Sequence, residues 1–165
     1  MSNNLTELFK HNLWANLKCI DACEKLTDEQ LDTVVNGTYG SIRATLLHYL
    51  GAEKRYGDRL YGRPRSPRLE DGGFQGFDHL RTVARANGQE LIDIVENDRV
   101  PEVYHGLGPD GQSEEMTGSM LIIQAINHST EHRAHINSVF SILGLEPTEL
   151  DGWAYGYTHD MIKIG

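Results

Sequence analysis

The sequence predicts an all-α protein: a four-helix bundle with a small β-hairpin between its third and fourth helices and a short C-terminal helix. Four long segments repeat apolar residues at the three- and four-residue intervals of an amphipathic helix, and none alternates as a strand does. Stretches rich in glycine and proline separate the segments. Amphipathic helices without a sheet to cover pack on one another, and the 165 residues are expected to form one domain, 1–165.

The first predicted helix covers residues 5–24, because neither glycine nor proline interrupts its apolar stripe. Thr27 and Gln30 have the spacing of a capping box, which predicts a short helical turn after it. Ser41 is a suitable N-cap for the second long helix, which is expected to run to about Tyr61. Residues 62–73 are predicted to be a loop by their proline and glycine content.

The third helix is predicted over residues 74–96 and the fourth from Gly118 to a C-terminal glycine at Gly144. The connection between them is too long to be featureless in a compact domain. The turn sequence Pro-Asp-Gly stands between EVYHGL and QSEEM, which indicates the small β-hairpin. One last short helix is expected within residues 148–164.

The composition limits the classes of partner. The formal net charge of −9 opposes binding to nucleic acid or to anionic membranes, and no apolar run approaches the ~20 residues of a membrane span. The first residues lack the layout of a signal peptide, so a cytoplasmic location is expected. A small-molecule substrate is expected from the candidate metal site described below. Cys19 and Cys23 are spaced by four and do not form a CxxC pair, which favours buried free thiols.

The segment NHSTEHRAHI in the fourth helix carries the chemistry. It places His128, His132 and His135 at i, i+4 and i+7, which is one face of a helix with apolar flanks. A single buried histidine is usually hydrogen-bonded, but two at i, i+4 can offer nitrogens to one metal ion. A metal site is therefore expected on this helix.

The chain resembles the DinB/YfiT-like superfamily of metal-binding four-helix bundles over nearly its whole length. The resemblance lies in four segments found in the family's order: HNLWANLKCIDACEKLTDEQL, GSIRATLLHYLGAEKRYGDRLYG, NHSTEHRAHI and LGLEPTELDGW. The family's fourth-helix motif reads close to HGTHHRGQ. Here Ser129 and Ala134 stand where glycine is common, and His135 stands where glutamine is common.

The resemblance implies an up-down-down-up bundle, a homodimer, and a divalent metal held by His48, His128 and His132. Members with an assigned activity include metal-dependent thiol transferases and a thiol-dependent isomerase. His135 is the competing third ligand, but it lies about 10.5 Å along the helix from His128, whereas metal–nitrogen bonds measure about 2.0–2.1 Å. His135 is therefore expected to support a ligand or to line the pocket.

Three histidines without a carboxylate leave a coordination position open, as in catalytic sites. The resulting expectation is a metal-dependent enzyme that activates a thiol for attack on a small electrophile. The alternatives are a metal-dependent hydrolase with the same site and a non-catalytic stress protein that binds a metal or a ligand without turnover. Zinc is the default metal, nickel or iron also suit imidazole ligands, and a low-molecular-weight thiol is a candidate cosubstrate. The sequence assigns no catalytic residue besides these ligands.

Several other residues belong to the expected site or its support. Arg55 lies on the stripe of His48 and begins a local run of arginines, which is either a solvated face or an anion site beside the metal. Trp14 is expected in the core or as one wall of the cavity. Glu53 and Arg133 are expected to form an ion pair between the second and fourth helices.

Overall fold

A computed structural model of the protein describes residues 4–108 and 110–163. Its elements in chain order are α1 (Asn4–Cys23), α2 (Asp28–Leu31), α3 (Ile42–Leu60), a 3₁₀ turn (Leu69–Gly72), α4 (Phe77–Glu96), β1 (Val103–Leu107), β2 (Ser113–Thr117), α5 (Gly118–Ile142) and α6 (Gly152–Thr158). The predicted four-helix bundle, hairpin and short last helix are thereby confirmed. Among the helices described, none is long and apolar enough to cross a membrane.

The directions of the four long helices follow from contacts between them. Arg81, near the start of α4, bonds Asp21 near the end of α1 at 2.8 Å, so these helices are antiparallel. Asn87 of α4 donates to the carbonyl oxygen of Leu50 in α3 at 2.8 Å, and Tyr61, just after α3, donates to the carbonyl oxygen of Glu90 further along α4 at 3.1 Å. Helices α3 and α4 are therefore parallel.

Helix α5 runs antiparallel to α3. The amide of Gln124 donates to the Tyr56 hydroxyl at 3.3 Å, whereas His48, earlier in α3, meets His132, later in α5, with ring centroids 4.9 Å apart. The order of directions is up-down-down-up. Helices α3 and α5 thus face each other along their length, and the histidines of both lie on this shared face.

Helix ends follow the predicted local signals. Thr27 and Gln30 make both bonds of the capping box, and the Ser41 side chain accepts from the Ala44 amide at 3.2 Å. Gly144 has the positive φ, 73°, that terminates a helix with glycine. The third long helix begins at Phe77 and not at residue 74 as predicted, because Gly76 has φ 95°, outside the helical region.

The hairpin also forms where the sequence places it. Strands β1 and β2 are antiparallel, with Val103 opposite Thr117 and Leu107 opposite Ser113. Pro109 of the predicted turn and Ile164 of the predicted last helix lie outside the described residues. Helix α6 begins at the N-cap Asp151, whose side chain accepts from the Ala154 amide at 2.9 Å.

The bundle interior has two apolar clusters with a polar layer between them. One cluster groups the end of α1, the first half of α3, the start of α4 and the last turns of α5. The other groups the start of α1 and the opposite halves of the remaining three helices. The polar layer lies between them along every helix and consists of buried side chains from all four: Asn12, Asn16, Glu53, Asn87, Ser129 and Arg133.

Candidate metal centre

Three histidines converge on the face shared by α3 and α5. His48 approaches from α3, and His128 and His132 lie one turn apart on α5, with one potential ligand nitrogen from each within 4.8 Å of the others. The His128 and His132 ring centroids are 4.4 Å apart, and those of His48 and His128 are 5.0 Å apart. An ion bonded to each nitrogen at about 2.0–2.1 Å needs only small side-chain movements at these separations.

A carboxylate orients the His48 ring. Nδ1 of His48 lies 3.0 Å from Oε1 of Glu70 in the 3₁₀ turn, and this contact leaves Nε2 as the nitrogen for an ion. Imidazole ligands commonly bond their second nitrogen to a carboxylate, which fixes the tautomer and raises ligand basicity. Glu70 was not foreseen from the sequence, because an acidic residue in an irregular loop carries no periodic signal.

His128 and His132 are suited to bind a metal ion and not a proton. Loss of solvation on burial, followed by repulsion from neighbouring imidazoles, lowers the pKa of both rings to about 4. The rings are therefore neutral at pH 7, and each keeps a nitrogen lone pair that it can donate to a metal ion. Nδ1 of each ring is buried without a hydrogen-bond partner, a state that is rare for buried polar atoms. This donor set fits a divalent ion such as zinc, nickel or ferrous iron.

Two tyrosines border the histidines. The Tyr39 ring stacks on His48 with centroids 3.9 Å apart and meets the edge of His132 at 5.1 Å. The Tyr56 ring meets His128 edge-on at 5.8 Å. Tyr39 is 44% exposed, so the centre lies close to solvent and is not sealed inside the bundle. Sequence patterns did not single out either tyrosine for the site.

The other expected site residues have different positions. The His135 ring lies 5.4 Å from that of His132, but His135 is not in the group whose nitrogens converge. Arg55 adjoins the centre, with Nη1 3.9 Å from Oε2 of Glu70. Trp14 lies elsewhere: its ring contacts are with His11, Tyr155, His159 and Lys18, at the junction of α1 with α6.

In place of the expected ion pair between Glu53 and Arg133, a network of hydrogen bonds connects the two side chains through Asn12 and Asn16. Arg133 donates to the side-chain oxygens of Asn12 and Asn16 at 2.8 and 2.5 Å. The amides of both asparagines donate to Glu53 at 2.6 to 3.0 Å, and Ser129 donates to it at 2.7 Å. The prediction of direct pairing was wrong because two helix α1 amides occupy the space between the charges.

This hydrogen-bond network fixes the rotation of α5 about its own axis at the metal centre. Ser129 and Arg133 each directly follow a candidate ligand in the chain, and both are buried. The Arg133 side chain bonds Asn12 and Asn16 of α1, and the Ser129 hydroxyl bonds Glu53 in the polar layer. Because adjacent helical residues lie about 100° apart, these bonds hold His128 and His132 on the neighbouring face, where His48 lies. The same two turns of α5 therefore contribute to the histidine cluster on one face and to the polar layer on the other.

Comparisons with known proteins bear on the family and the fold of the chain. The model of a family described as the DinB family matches residues 1–161. The structure of YfiT from Bacillus subtilis aligns with a TM-score of 0.62 at 20% identity, over 88% of this chain and 91% of that one. YfiT is described as a probable metal-dependent hydrolase with an unusual four-helix bundle topology. At this identity the likeness concerns the fold. A comparison with curated sequences finds no match.

Proposed function

The chain belongs to the DinB family, and from this premise we propose that it is a metal-dependent hydrolase of a small electrophilic substrate. His48, His128 and His132 would hold the ion. The observation that carries the proposal is the composition of the converging group, which is three imidazoles without a carboxylate or thiolate. Structural metal sites are usually closed by four protein ligands, whereas three ligands leave room for a reactant.

A divalent ion held there would supply a Lewis acid that lowers the pKa of a bound water to near neutrality and polarises the substrate. The residues of this chain would do the rest by position. Glu70 would keep Nδ1 of His48 protonated and direct Nε2 toward the ion. Tyr39, stacked on His48 at the exposed side, would limit the approach of substrate to one direction.

A thiol transferase is the second candidate function, and the arginines beside the centre favour it. Low-molecular-weight thiols commonly carry carboxylates, and guanidinium groups bind carboxylates in a bidentate manner. Arg55 lies next to Glu70, and Arg59 lies one helical turn further along α3. The site could therefore hold an anionic cosubstrate whose thiol takes the place of water.

The three candidate metal ligands can be tested one at a time. His48→Ala and His132→Ala should each lower the bound metal from about one ion per chain to a small fraction, because two imidazoles seldom hold an ion against dilution. His135→Ala should keep the metal. Metal content after dialysis, measured by plasma mass spectrometry, checks this. The exposed hairpin residue His105, paired with Glu115, provides the matched control variant His105→Ala.

Retention of stoichiometric metal in His48→Ala would refute the ligand set. Turnover then separates the two functions. A hydrolase cleaves activated esters or amides in the metal-loaded state without added thiol. A transferase consumes an electrophile only when a thiol is present, and both activities should disappear in His132→Ala.

A further inference from the structure

Two arginines of α3 are half-buried and make no hydrogen bond to the described residues. The Arg55 side chain is 19% exposed and the Arg59 side chain is 12% exposed. Neither guanidinium makes a hydrogen bond to any residue that the structure describes; each has only a distant carboxylate, Glu70 at 3.9 Å from Arg55 and Glu114 at 3.6 Å from Arg59. Nη1 of Arg55 and Nε of Arg59 are themselves buried without a hydrogen-bond partner, and leaving a buried donor unpaired is costly.

The two charges also repel each other. Arg55 and Arg59 are four residues apart on α3, so they lie on the same face, and like charges at this spacing destabilise a helix. Arg65, from the loop after α3, comes to the same place and bonds Glu114. Three guanidinium groups thus share two carboxylates in a protein whose net charge is −9. Among residues 4–108 and 110–163, no further carboxylate balances this local excess of positive charge.

The arginine cluster, defined here as Arg55, Arg59 and Arg65, is continuous with the metal centre. Glu70 joins them, because one of its oxygens contacts Nδ1 of His48 and the other faces Nη1 of Arg55. Along α3, Arg55 follows His48 by seven residues, about 10.5 Å of helix rise, on the same stripe. The small side chain of Ala52 lies between them on that stripe.

We propose that the arginine cluster is an anion-binding subsite, which selects substrates or cosubstrates bearing a carboxylate or a phosphate several bonds from the reacting atom. The anion would supply the hydrogen bonds that Arg55 and Arg59 lack and would reduce their mutual repulsion. This assignment of a substrate class rests on the proposed function. The anion site itself does not, because its donors are present whether or not a metal is bound.

The test measures anion binding directly in protein stripped of metal by a chelator and then dialysed. Inorganic phosphate and glutarate serve as separate probes in isothermal titration calorimetry at low ionic strength, where exposed charges are least screened. The variants are Arg59→Gln and the double variant Arg55→Gln/Arg59→Gln. Arg81→Gln is the control, because Arg81 is fully bonded to Asp21, Glu24 and Asp78 on the far side of the bundle.

We expect wild type and Arg81→Gln to bind at least one probe saturably, and Arg59→Gln to bind it about tenfold more weakly, the loss of one charge-assisted hydrogen bond. The double variant should show no saturable binding. Absence of binding by wild type, or equal affinity in the double variant, would overturn the proposal. Binding that appears only after metal loading and is insensitive to Arg59→Gln would also overturn it, since the anion would then be on the metal.

Folding provides a second readout. If Arg55 and Arg59 serve to bind an anion and do not stabilise the fold, Arg59→Gln and the double variant should unfold at the same or a higher temperature than wild type in anion-free buffer. A lower unfolding temperature would indicate a structural role and would count against the proposal. Metal content is measured in the same samples. Phosphate binding by a protein that takes up no metal would support the anion site and would refute the proposed function as a metal-dependent hydrolase.

Discussion

Glu53 is the residue on which the buried polar layer depends most. Its side chain is 0% exposed and accepts hydrogen bonds from Asn12, Asn16 and Ser129, and the two asparagines in turn accept from Arg133. A buried carboxylate surrounded by hydrogen-bond donors is stable. When the carboxylate is neutralised or replaced, the donors around it lose the charge that compensated them. The layer therefore tolerates loss of any part poorly.

We expect Glu53→Gln to lower the free energy of unfolding by about 3–5 kcal/mol, because Arg133 would be left as an uncompensated buried charge. Urea denaturation measures the change. Glu131, an exposed residue on α5, gives the control Glu131→Gln, which should stay within about 0.5 kcal/mol of wild type. A loss below about 1 kcal/mol for Glu53→Gln would mean that water reaches the layer.

The sequence is informative about individual site residues where those residues lie on helices. The i, i+4 pair His128 and His132 could be recognised because helical spacing alone puts both rings on one face. Glu70 and Tyr39 could not, because they reach His48 from irregular segments whose path depends on the completed bundle. The separation of Glu53 from Arg133 also depends on packing, since α1 inserts its asparagines between them.

The contact of the 3₁₀ turn with α3 requires a glycine. A Cβ on Gly51 would lie 2.9 Å from Cβ of Leu69, 3.2 Å from the Leu69 backbone nitrogen and 3.2 Å from Oε2 of Glu70. The first distance is shorter than real Cβ atoms show and the other two are unusually tight, and Cβ and the backbone nitrogen of Leu69 cannot rotate away. Gly51 thus lets the turn approach closely enough for Glu70 to reach His48.

Gly51→Ala should displace the turn and separate Glu70 from His48, so we expect metal affinity to fall by about 10- to 100-fold, as for loss of an orienting partner. Helix content by circular dichroism should be unchanged. Gly57→Ala, on the same helix, is the control, because its Cβ would meet only the end of the Glu90 side chain at 3.4 Å. Equal metal affinity in the two variants would show that Glu70 does not depend on this contact.

Helix boundaries were predictable where a capping side chain begins a helix or a glycine ends one. Ser41 caps α3 as expected, and Gly144 follows α5 with a positive φ. The start of α4 was misplaced, because hydrophobic periodicity includes Phe74 while backbone conformation at Gly76 excludes it. A period reports which face is apolar, and it carries no information about φ at a glycine.

The whole molecule should lose stability in acid. Asp58 is buried at the end of α3, where hydrogen bonds from Lys54 at 2.8 Å and the Ser66 amide at 2.9 Å outweigh desolvation and lower its pKa below the usual 3.8. A carboxyl with a lowered folded-state pKa stabilises the fold above its unfolded pKa. That contribution is lost as pH falls through the folded value.

We expect Asp58→Asn to cost about 1–3 kcal/mol at pH 7, the range for hydrogen bonds to a charged group, and the difference from wild type to shrink below about pH 4. Urea denaturation at pH 7 and pH 3.5 measures both values. Asp78→Asn is the control, since Asp78 is fully exposed and a surface ion pair contributes little. A constant difference across this pH range would assign the effect to packing.

The polar layer sets the relative heights of the helices in the bundle. Every long helix contributes a buried polar side chain at the same level, with apolar clusters above and below it. Sliding α5 by one turn would bury Arg133 among apolar side chains, which is far more costly than a mismatched hydrophobic contact. The layer thereby fixes His128 and His132 opposite His48.

The histidine cluster joins two parts of the chain that are far apart, since His48 and His128 are separated by 80 positions. An ion bound by both would act as a removable cross-link around α4 and the hairpin. Cross-links that close long loops reduce the entropy of the unfolded chain, by about 4–5 kcal/mol for a loop of this size in the simplest polymer treatment. Metal loading would then set the balance between folded and unfolded molecules, besides governing the chemistry of the site.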